Sequence, residues 1–295
     1  THVYRTRYSY MNHWEAIRQS WIEQLVKEFD TPSWSDRGVQ EAPPWKIDQP
    51  VARDETEQRF REDLEFFQPQ KVQEVSFSTD LVPAGLKSDA PVASHQQYQK
   101  GTRYALWSTG GEPLEMTIVT GVIAWYRDRP DATYVVTDAG GKEVASGRLP
   151  QDGKEHPLRI EIASAGLYWF EFNDQAAAWS IRVAAGRPVA VALARSSPPA
   201  HLGHMQRMYF YVPRGTRKIE YYWKGGPHTV HGPDGAVRAE VTASGKFVTV
   251  DVPAGSDGQP WSITKLALGH LWFFNVPNYL AASPDALLVP REVLP

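Results

Sequence analysis

The chain has 295 residues, 42% of them hydrophobic, and a formal net charge of −3. This composition is typical of packed cores and excludes an intrinsically disordered chain, and the length suits one large or two modest domains. Without a long basic run or an apolar run near the roughly 18 residues of a membrane helix, we expect neither a nucleic-acid nor a membrane partner.

The N-terminal part, residues 1–76, is predicted to be a helical, linker-like segment. In YMNHWEAIRQSWIEQLVKEFD, apolar residues such as Trp14 and Trp21 recur with the period of a helix. A second helix is predicted over residues 54–67. Both helices are short and amphipathic, so they need a partner surface to be stable. Because the chain begins at Thr1 and not at Met, we expect it to be a mature or cut product of a longer protein.

From about residue 70 the pattern changes to short alternating strands. Runs such as RYALWS, LYWFEF, RMYFYV and KIEYYW are separated by turns rich in Gly, Pro and Asp. This pattern is typical of antiparallel sandwiches or barrels. We therefore predict a mainly β chain in which the helical segment is followed by two tandem antiparallel β-sandwich domains, residues 77–195 and 196–295.

The two β regions resemble each other, which indicates an internal repeat. The matched segments are 103–121 with 207–226, 132–144 with 227–237 and, more loosely, 160–173 with 250–275. The repeat gives each segment a role by its position. A Ser/Pro linker is predicted near residues 196–199, between the two copies.

The stretch HTVHGPDG contains a histidine pair that could indicate either a metal site or an ordinary strand. Its repeat partner is the strand TYVVT, which favours a strand for HTVH, and side chains of a strand alternate between its faces. His228 and His231 are then expected on opposite faces, followed by a turn in which Gly235 takes a positive φ. A second pair, His201 and His204, lies in the linker without an adjacent acidic ligand.

The sequence does not indicate a catalytic pair among its acidic residues. Glycoside cleavage uses two carboxylates at a defined separation. The candidates fall in turns, strand ends or solvated faces: Glu112, Glu115, Asp128, Asp131 and Asp174. The chain also lacks a nucleophile elbow, a phosphate loop and a zinc-protease motif, and with no cysteine it has no thiol chemistry and no disulfide. We therefore predict no catalytic residue and no cofactor. Calcium binding by the Asp-rich turns stays open.

Aromatic residues are the compositional anomaly, with 11 Trp, 13 Tyr and 11 Phe. Strand alternation places some of them outside the predicted cores, where flat rings could pack against sugar rings. In KIEYYWK, for example, Ile219, Tyr221 and Trp223 share the face expected in the core, and Tyr222 lies on the other face. The alternative is that these faces are covered by the helical segment or by the other sandwich. The candidate ligand-binding residues are Trp107, Trp125, Tyr126, Tyr209, Tyr211 and Tyr222. Trp125 and Tyr126 are predicted in a strand that leads into a Pro turn, next to Arg127.

The segments YFYVPRGTRKIEYYW, HGPDG, VDVPAGSDGQPWSI and FFNVPNYLAASPDALLVPREV resemble a known kind of module. They are similar to the C-terminal β-sandwich accessory modules of large bacterial proteins related to glycoside hydrolases and polysaccharide-degrading enzymes. The resemblance covers residues 205–293 and, more weakly, 100–190. It implies a module type and no substrate, and no catalytic residue is transferred by it.

Three classes of function follow from the residues and the resemblance. The first is a non-catalytic accessory region of a secreted bacterial carbohydrate-active protein, extracellular, periplasmic or at the cell surface, with a glycan-binding or assembly role. The second is the C-terminal piece of a processed glycoside hydrolase or polysaccharide lyase whose catalytic domain lies upstream or on another chain. The third is a structural protein of a surface layer or filament. The expected partners are a polysaccharide and, in the second case, the catalytic domain.

Overall fold

A computed structural model describes residues 74–87, 96–99, 101–183, 187–194, 200–201, 207–242, 246–266 and 269–294. All of them belong to one compact unit, residues 53–295. The helices predicted within residues 1–73 lie outside the described residues. Within the described part, no helix is long and apolar enough to cross a bilayer.

The described residues form twenty β-strands, which confirms the prediction of a mainly β chain. In chain order they are β1 Leu81–Pro83, β2 Gln96–Gln99, β3 Thr102–Ser108, β4 Leu114–Thr120, β5 Ala132–Asp138, β6 Glu143–Leu149, β7 Glu155–Ile160, β8 Gly166–Asn173, β9 Trp179–Val183, β10 Val189–Ala192, β11 Ala200–His201, β12 Arg207–Val212, β13 Lys218–Lys224, β14 His228–His231, β15 Val237–Val241, β16 Lys246–Asp251, β17 Gln259–Thr264, β18 His270–Phe273, β19 Tyr279–Leu280 and β20 Leu288–Pro290. Short 3-10 turns span Ala124–Tyr126, Pro284–Ala286 and Arg291–Val293.

The first half of the described chain builds two facing antiparallel sheets. One has the strand order β19-β10-β3-β8-β5-β6, and the other has the order β11-β2-β9-β4-β7. Trp179 of the second sheet is fully buried and reaches across to the first, where its ring lies 4.1 Å from that of Phe172 and 5.9 Å from that of Tyr104. Large aromatic rings between the layers are what the alternating aromatic strands supply, because every second side chain enters the core.

The second half builds a smaller pair of sheets. Their strand orders are β12-β17-β14-β15 and β16-β13-β18. Alternation along KIEYYWK buries Ile219, Tyr221 and Trp223 between the layers, as the sequence predicts. Phe210 and Phe273 meet across the layers with ring centroids 4.7 Å apart. Both sheet pairs are therefore β-sandwiches held by aromatic cores.

The strand order of the first sandwich is repeated in the second. Strands β3-β8-β5-β6 and β12-β17-β14-β15 take matching places, and β9-β4-β7 matches β18-β13-β16. This confirms the first two matched segments of the repeat. The third is partly wrong, because HLWFFN was matched to LYWFEF, whereas its strand β18 takes the place of β9. Strands of both layers carry aromatics for the shared core, so composition did not separate them.

Segments near the C-terminus return to the first sandwich. Strand β19 pairs with β10, and Ala281 forms a backbone bridge to Tyr209 of β12. Strand β20 pairs with β1, and this ribbon places Leu81 and Leu288 on the outer face of the six-stranded sheet. The two sandwiches are thus joined by backbone pairing. The division at residues 195 and 196 stays a prediction.

Candidate functional site

The predicted patch of exposed tyrosines does not form. Tyr211 is only 3% exposed, and its hydroxyl donates a hydrogen bond to the Gly258 carbonyl at 3.1 Å. Tyr222 is 4% exposed because Phe247 and Phe274 pack over it. Strand alternation assigns both to the outer faces of their sheets, and the later residues Phe247 and Phe274 cover that face at Tyr222. Of the two alternatives for these rings, exposed or covered, the structure therefore shows the covered one.

The other two outward residues on strands are half-buried. Tyr209 lies beside the bridge to Ala281 on the edge of the four-stranded sheet. Trp107 lies on the outer face of the six-stranded sheet, against the apolar cluster that includes Trp169 and is covered by the β1–β20 ribbon. Neither residue offers a fully open ring face, so a binding role for them stays a prediction.

The two histidines of HTVH have different neighbours, which agrees with the strand interpretation. His228 is buried against Trp223, and its Nε2 shares a 2.6 Å hydrogen bond with the Tyr221 hydroxyl. Burial lowers the pKa of His228 to about 4, so the imidazole is neutral. His231 instead shares hydrogen bonds with Thr264 Oγ1 and the Gly235 carbonyl. Gly235 has φ +78°, as the predicted turn requires.

Trp125 is the predicted residue that the structure leaves open, with 84% of its surface exposed. It lies in the 3-10 turn Ala124–Tyr126, where a strand leading into a turn was expected. Gly121, with φ +62°, ends β4 before this turn. Behind Trp125, the guanidinium of Arg129 lies 4.1 Å from the centre of the Tyr126 ring. The loop therefore exposes the Trp125 indole, while its neighbours Tyr126 and Arg129 pack against each other.

A second loop, residues 174–178, braces the first. The amides of Val122 and Ile123 donate hydrogen bonds to the carbonyls of Ala178 and Ala177, at 3.1 and 3.0 Å. Arg129 Nη1 donates to the carbonyl of Gln175 at 2.7 Å. Backbone and side chain of the Trp125 loop are thus tied to the same neighbour.

The bracing loop has a strained backbone that a buried carboxylate holds in place. Gln175, Ala176 and Ala178 have φ values of 52°, 61° and 63°, a region that costs L-residues roughly 1–2 kcal/mol each. Asp174 is fully buried, and its two carboxylate oxygens accept hydrogen bonds from the amides of Ala176 and Ala178 at 3.0 and 2.9 Å. Strain held by its surroundings is a common feature of functional loops.

A third loop, which follows β6, completes the cluster. The Gln151 amide donates from Nε2 to the carbonyls of Asp174 and Pro130, at 2.9 and 3.2 Å. Arg127 Nε donates to the Gly121 carbonyl at 2.9 Å, and the Arg127 guanidinium lies against Gly153. The cluster of loops 121–131, 150–154 and 174–178 is called the Trp125 loop site below.

The Trp125 loop site combines an open apolar ring with polar groups such as Arg127 and Asp128, both exposed. Asp174, a candidate carboxylate in the sequence, instead holds the backbone. The exposed Glu115 forms an ion pair with Arg159 at 2.6 Å. Among the described residues, no group of three His, Asp or Glu side chains is placed to hold a metal ion. Calcium binding stays a prediction.

Several residues that line a large surface groove were missed from the sequence. They are Arg103, Trp169, Glu171, Trp272 and Tyr279. Alternation along RYALWS and LYWFEF does place the first three on one outer face. What the sequence does not show is that β19 and the segment before β1 rise beside that face and make it concave.

Comparison with known proteins does not assign this chain to a family. No protein-family model matches the chain, and no curated protein matches it. One similar structure contains the M60 catalytic domain with two CBM51 domains of Clostridium perfringens ZmpB; it has 9% identity and a TM-score of 0.24, over 74% of this chain and 38% of that one. Another is the tandem CBM22 domain of Paenibacillus barcinonensis Xyn10C, with 10% identity and a TM-score of 0.11, over 66% of this chain and 80% of that one. Both TM-scores are below 0.5, so neither similarity shows the fold or the function of this chain.

Proposed function

We propose that this protein is a non-catalytic, glycan-binding accessory region of a secreted bacterial carbohydrate-active protein. The observation that carries the proposal is Trp125, an 84% exposed indole on a braced loop. Aromatic side chains bury a large apolar area when a ligand covers them, and their faces suit the C–H surfaces of sugar rings. Neighbouring Arg and Asp side chains supply donors and acceptors for hydroxyl groups.

The brace around Trp125 is as important to the proposal as the ring. A loop that is already ordered loses little conformational entropy when a ligand binds, so more of the contact energy appears as affinity. The strained loop 174–178 and the buried Asp174 carboxylate provide this order. An ordinary mobile loop would need neither feature. The arrangement therefore supports a preformed platform.

The size of the expected effect follows from the area of one ring face. A covered Trp buries about 150–250 Å², so one face, about half of that, contributes roughly 2–3 kcal/mol at 25 cal/mol per Å². Part of this is lost to ordering of the sugar. Replacing Trp125 by alanine should then weaken glycan binding at least about tenfold.

Isothermal titration with soluble polysaccharides tests the proposal. The panel contains neutral glucans, xylans, mannans and acidic pectins, and the variants are Trp125→Ala and the control Val237→Ala. Val237 is 52% exposed on β15 of the second sandwich. Its replacement by alanine therefore removes exposed apolar surface that does not belong to the Trp125 loop site. We expect weaker binding for Trp125→Ala and unchanged binding for Val237→Ala. Equal affinity of Trp125→Ala and the wild type, or no binding to any polysaccharide, would overturn the proposal.

The processed-enzyme hypothesis makes a different prediction for the same samples. An accessory region binds the polysaccharide without cleaving it, so the amount of reducing ends stays constant. Release of reducing or unsaturated ends by the purified chain would contradict the non-catalytic assignment. Assembly that depends on protein concentration, without glycan binding, would instead favour a surface-layer or filament protein.

A further inference from the structure

A groove lies on the outer face of the six-stranded sheet, and Trp125 is not among its lining residues. Its volume is about 1160 Å³. The floor is formed by outward residues of strands β3, β5, β8, β10 and β19, and one side is formed by residues 74–79 and Trp272 of β18. The groove therefore lies where the two sandwiches are joined.

The floor carries a stacked row of aromatic and charged side chains. The guanidinium of Arg103 lies over the Trp169 ring, 4.0 Å from its centre, and Arg103 Nε forms an ion pair with Glu171 at 3.1 Å. The Tyr279 ring is also a neighbour of Trp169, with centroids 6.4 Å apart and ring planes tilted by 39°. Burial raises the pKa of Tyr279, so its phenol stays protonated.

Arg103 is held in place and still open to a ligand. Trp169 fixes one face of its guanidinium, and Glu171 fixes Nε. The Arg103 side chain is 46% exposed, and its Nη1 and Nη2 form no hydrogen bond to any residue in the described part of the chain. A fixed guanidinium with free terminal nitrogens is a preorganised donor pair, while Glu171, 59% exposed, is an acceptor beside it.

The wall of the groove is also fixed. The Val75 amide donates to the Phe274 carbonyl at 2.6 Å, and Trp272 Nε1 donates to the Glu74 carboxylate at 3.0 Å. Ser78 donates from both its amide and its hydroxyl to the Glu292 carboxylate at 2.6 Å. The extended segment 74–79 is therefore tied to the fold at both ends, which keeps the groove concave.

The chemistry of the lining indicates the class of ligand. The volume exceeds the roughly 300–1,000 Å³ typical of small-molecule sites, which favours an oligosaccharide over a single sugar. The charged residues of the lining are Glu74, Arg103 and Glu171, a net charge of −1, so the lining does not favour a polyanionic chain. The donor and acceptor of the Arg103–Glu171 pair suit hydroxyl groups. The half-buried rings of Trp272 and Tyr279 suit C–H faces, whereas Trp169 is only 5% exposed. We infer that the groove is a second glycan site, which binds uncharged oligosaccharides and does not depend on Trp125.

Two exposed Arg–Glu pairs allow a matched test. In the groove, Arg103→Ala and Glu171→Ala each remove one member of the pair. On the opposite, five-stranded sheet, Arg159→Ala and Glu115→Ala do the same to a pair of similar exposure, 61% and 54%. Because all four side chains are exposed, we expect the variants to fold, and thermal unfolding followed by circular dichroism checks this.

The assay is isothermal titration of neutral gluco-, xylo- and manno-oligosaccharides and of oligogalacturonates, with each change made in the Trp125→Ala protein. We expect a neutral hexasaccharide to bind more tightly than the disaccharide. Arg103→Ala and Glu171→Ala should each weaken that binding about tenfold, the loss of one hydrogen bond to a charged group. Arg159→Ala and Glu115→Ala should leave it unchanged.

The outcomes separate this site from the Trp125 loop site. If the Trp125→Ala protein binds no neutral oligosaccharide, the groove proposal is refuted while the loop proposal stands. Equal affinity of the Arg103 and Arg159 variants, or tighter binding of oligogalacturonates, also refutes it. If the groove variants lose binding and Trp125→Ala alone changes nothing, the groove proposal stands and the loop proposal fails.

Discussion

The Asp174 carboxylate holds the loop that braces Trp125, and its replacement by asparagine should loosen that loop. Asn has nearly the same shape, but only one of its two terminal atoms accepts a hydrogen bond. The amides of Ala176 and Ala178 both donate to Asp174, at 3.0 and 2.9 Å. In Asp174→Asn, one of these amides faces an NH2 group and loses its partner in a buried place.

The magnitude follows from those two hydrogen bonds. A hydrogen bond to a charged group contributes about 1.5–3 kcal/mol, and the amide left without a partner is fully desolvated. We therefore expect Asp174→Asn to lower the free energy of unfolding by about 2–3 kcal/mol. Asp138→Asn is the control, because the carboxylate of the half-buried Asp138 accepts a solvent-exposed hydrogen bond from the Lys142 amide at 2.9 Å. Its effect should stay within about 0.5 kcal/mol.

Urea denaturation followed by circular dichroism measures both variants, and titration with the polysaccharide that binds best measures the loop. Asp174→Asn should also weaken binding several-fold, although Asp174 is fully buried and therefore not accessible to a ligand. If its free energy of unfolding falls no more than that of Asp138→Asn, the carboxylate does not hold the loop. An unchanged affinity would show that the brace is not needed for binding.

Three further predictions concern stability. Burial lowers the pKa of His228 to about 4, whereas a His in the unfolded chain has a pKa near 6.5, so the unfolded chain binds the proton more readily. The contribution of His228 to the free energy of unfolding is therefore full above about pH 6.5 and falls towards pH 4, with a loss of about 2 kcal/mol at pH 5. Urea denaturation of the wild type and of His228→Asn at several pH values should show this difference. Ala176→Gly relieves a positive φ and should keep or raise the melting temperature, whereas Ala105→Gly, in the buried strand β3, should lower it. Gly269→Ala places a Cβ against the Trp223 indole, so calorimetry should show a loss of about 1–3 kcal/mol.

Alternation along single strands carried most of the correct predictions. It placed Ile219, Tyr221 and Trp223 in the core, and the structure buries all three. It also placed Tyr222 on the opposite face, which is correct. It could not show that Phe247 and Phe274 cover that face, since a strand pattern defines a direction and says nothing of a distant segment.

The sequence contains no pattern that predicts the loop 174–178, which braces Trp125. Asp174 was considered only as one of several carboxylates in turns and strand ends, because a carboxylate that bonds to nearby amides has no distinctive composition around it. The positive φ values of Ala176 and Ala178 were also hidden, since this region is normally recognised by Gly or Asn. Trp125 was found as an aromatic beside charges, but its exposure depends on the turn Ala124–Tyr126, which was predicted as a strand.

The groove could not be predicted from the sequence, because it depends on pairing between strands that are distant along the chain. Arg103, Trp169 and Glu171 lie on adjacent strands, and the register of β3 with β8 pairs Arg103 directly with Glu171. That register follows from sheet topology, which pattern alone leaves undetermined. Tyr279 comes from the far end of the chain through the pairing of β19 with β10.

The central claim is that a glycan covers the Trp125 ring, and the indole N–H resonance of Trp125 reports on that contact directly. The spectrum of Trp125→Ala, compared with that of the wild type, identifies this signal among those of the 11 tryptophans. On titration with the polysaccharide that binds best, we predict a saturable shift of the Trp125 signal with the dissociation constant found by calorimetry. Saturable glycan binding that leaves the Trp125 resonance unmoved would contradict the account.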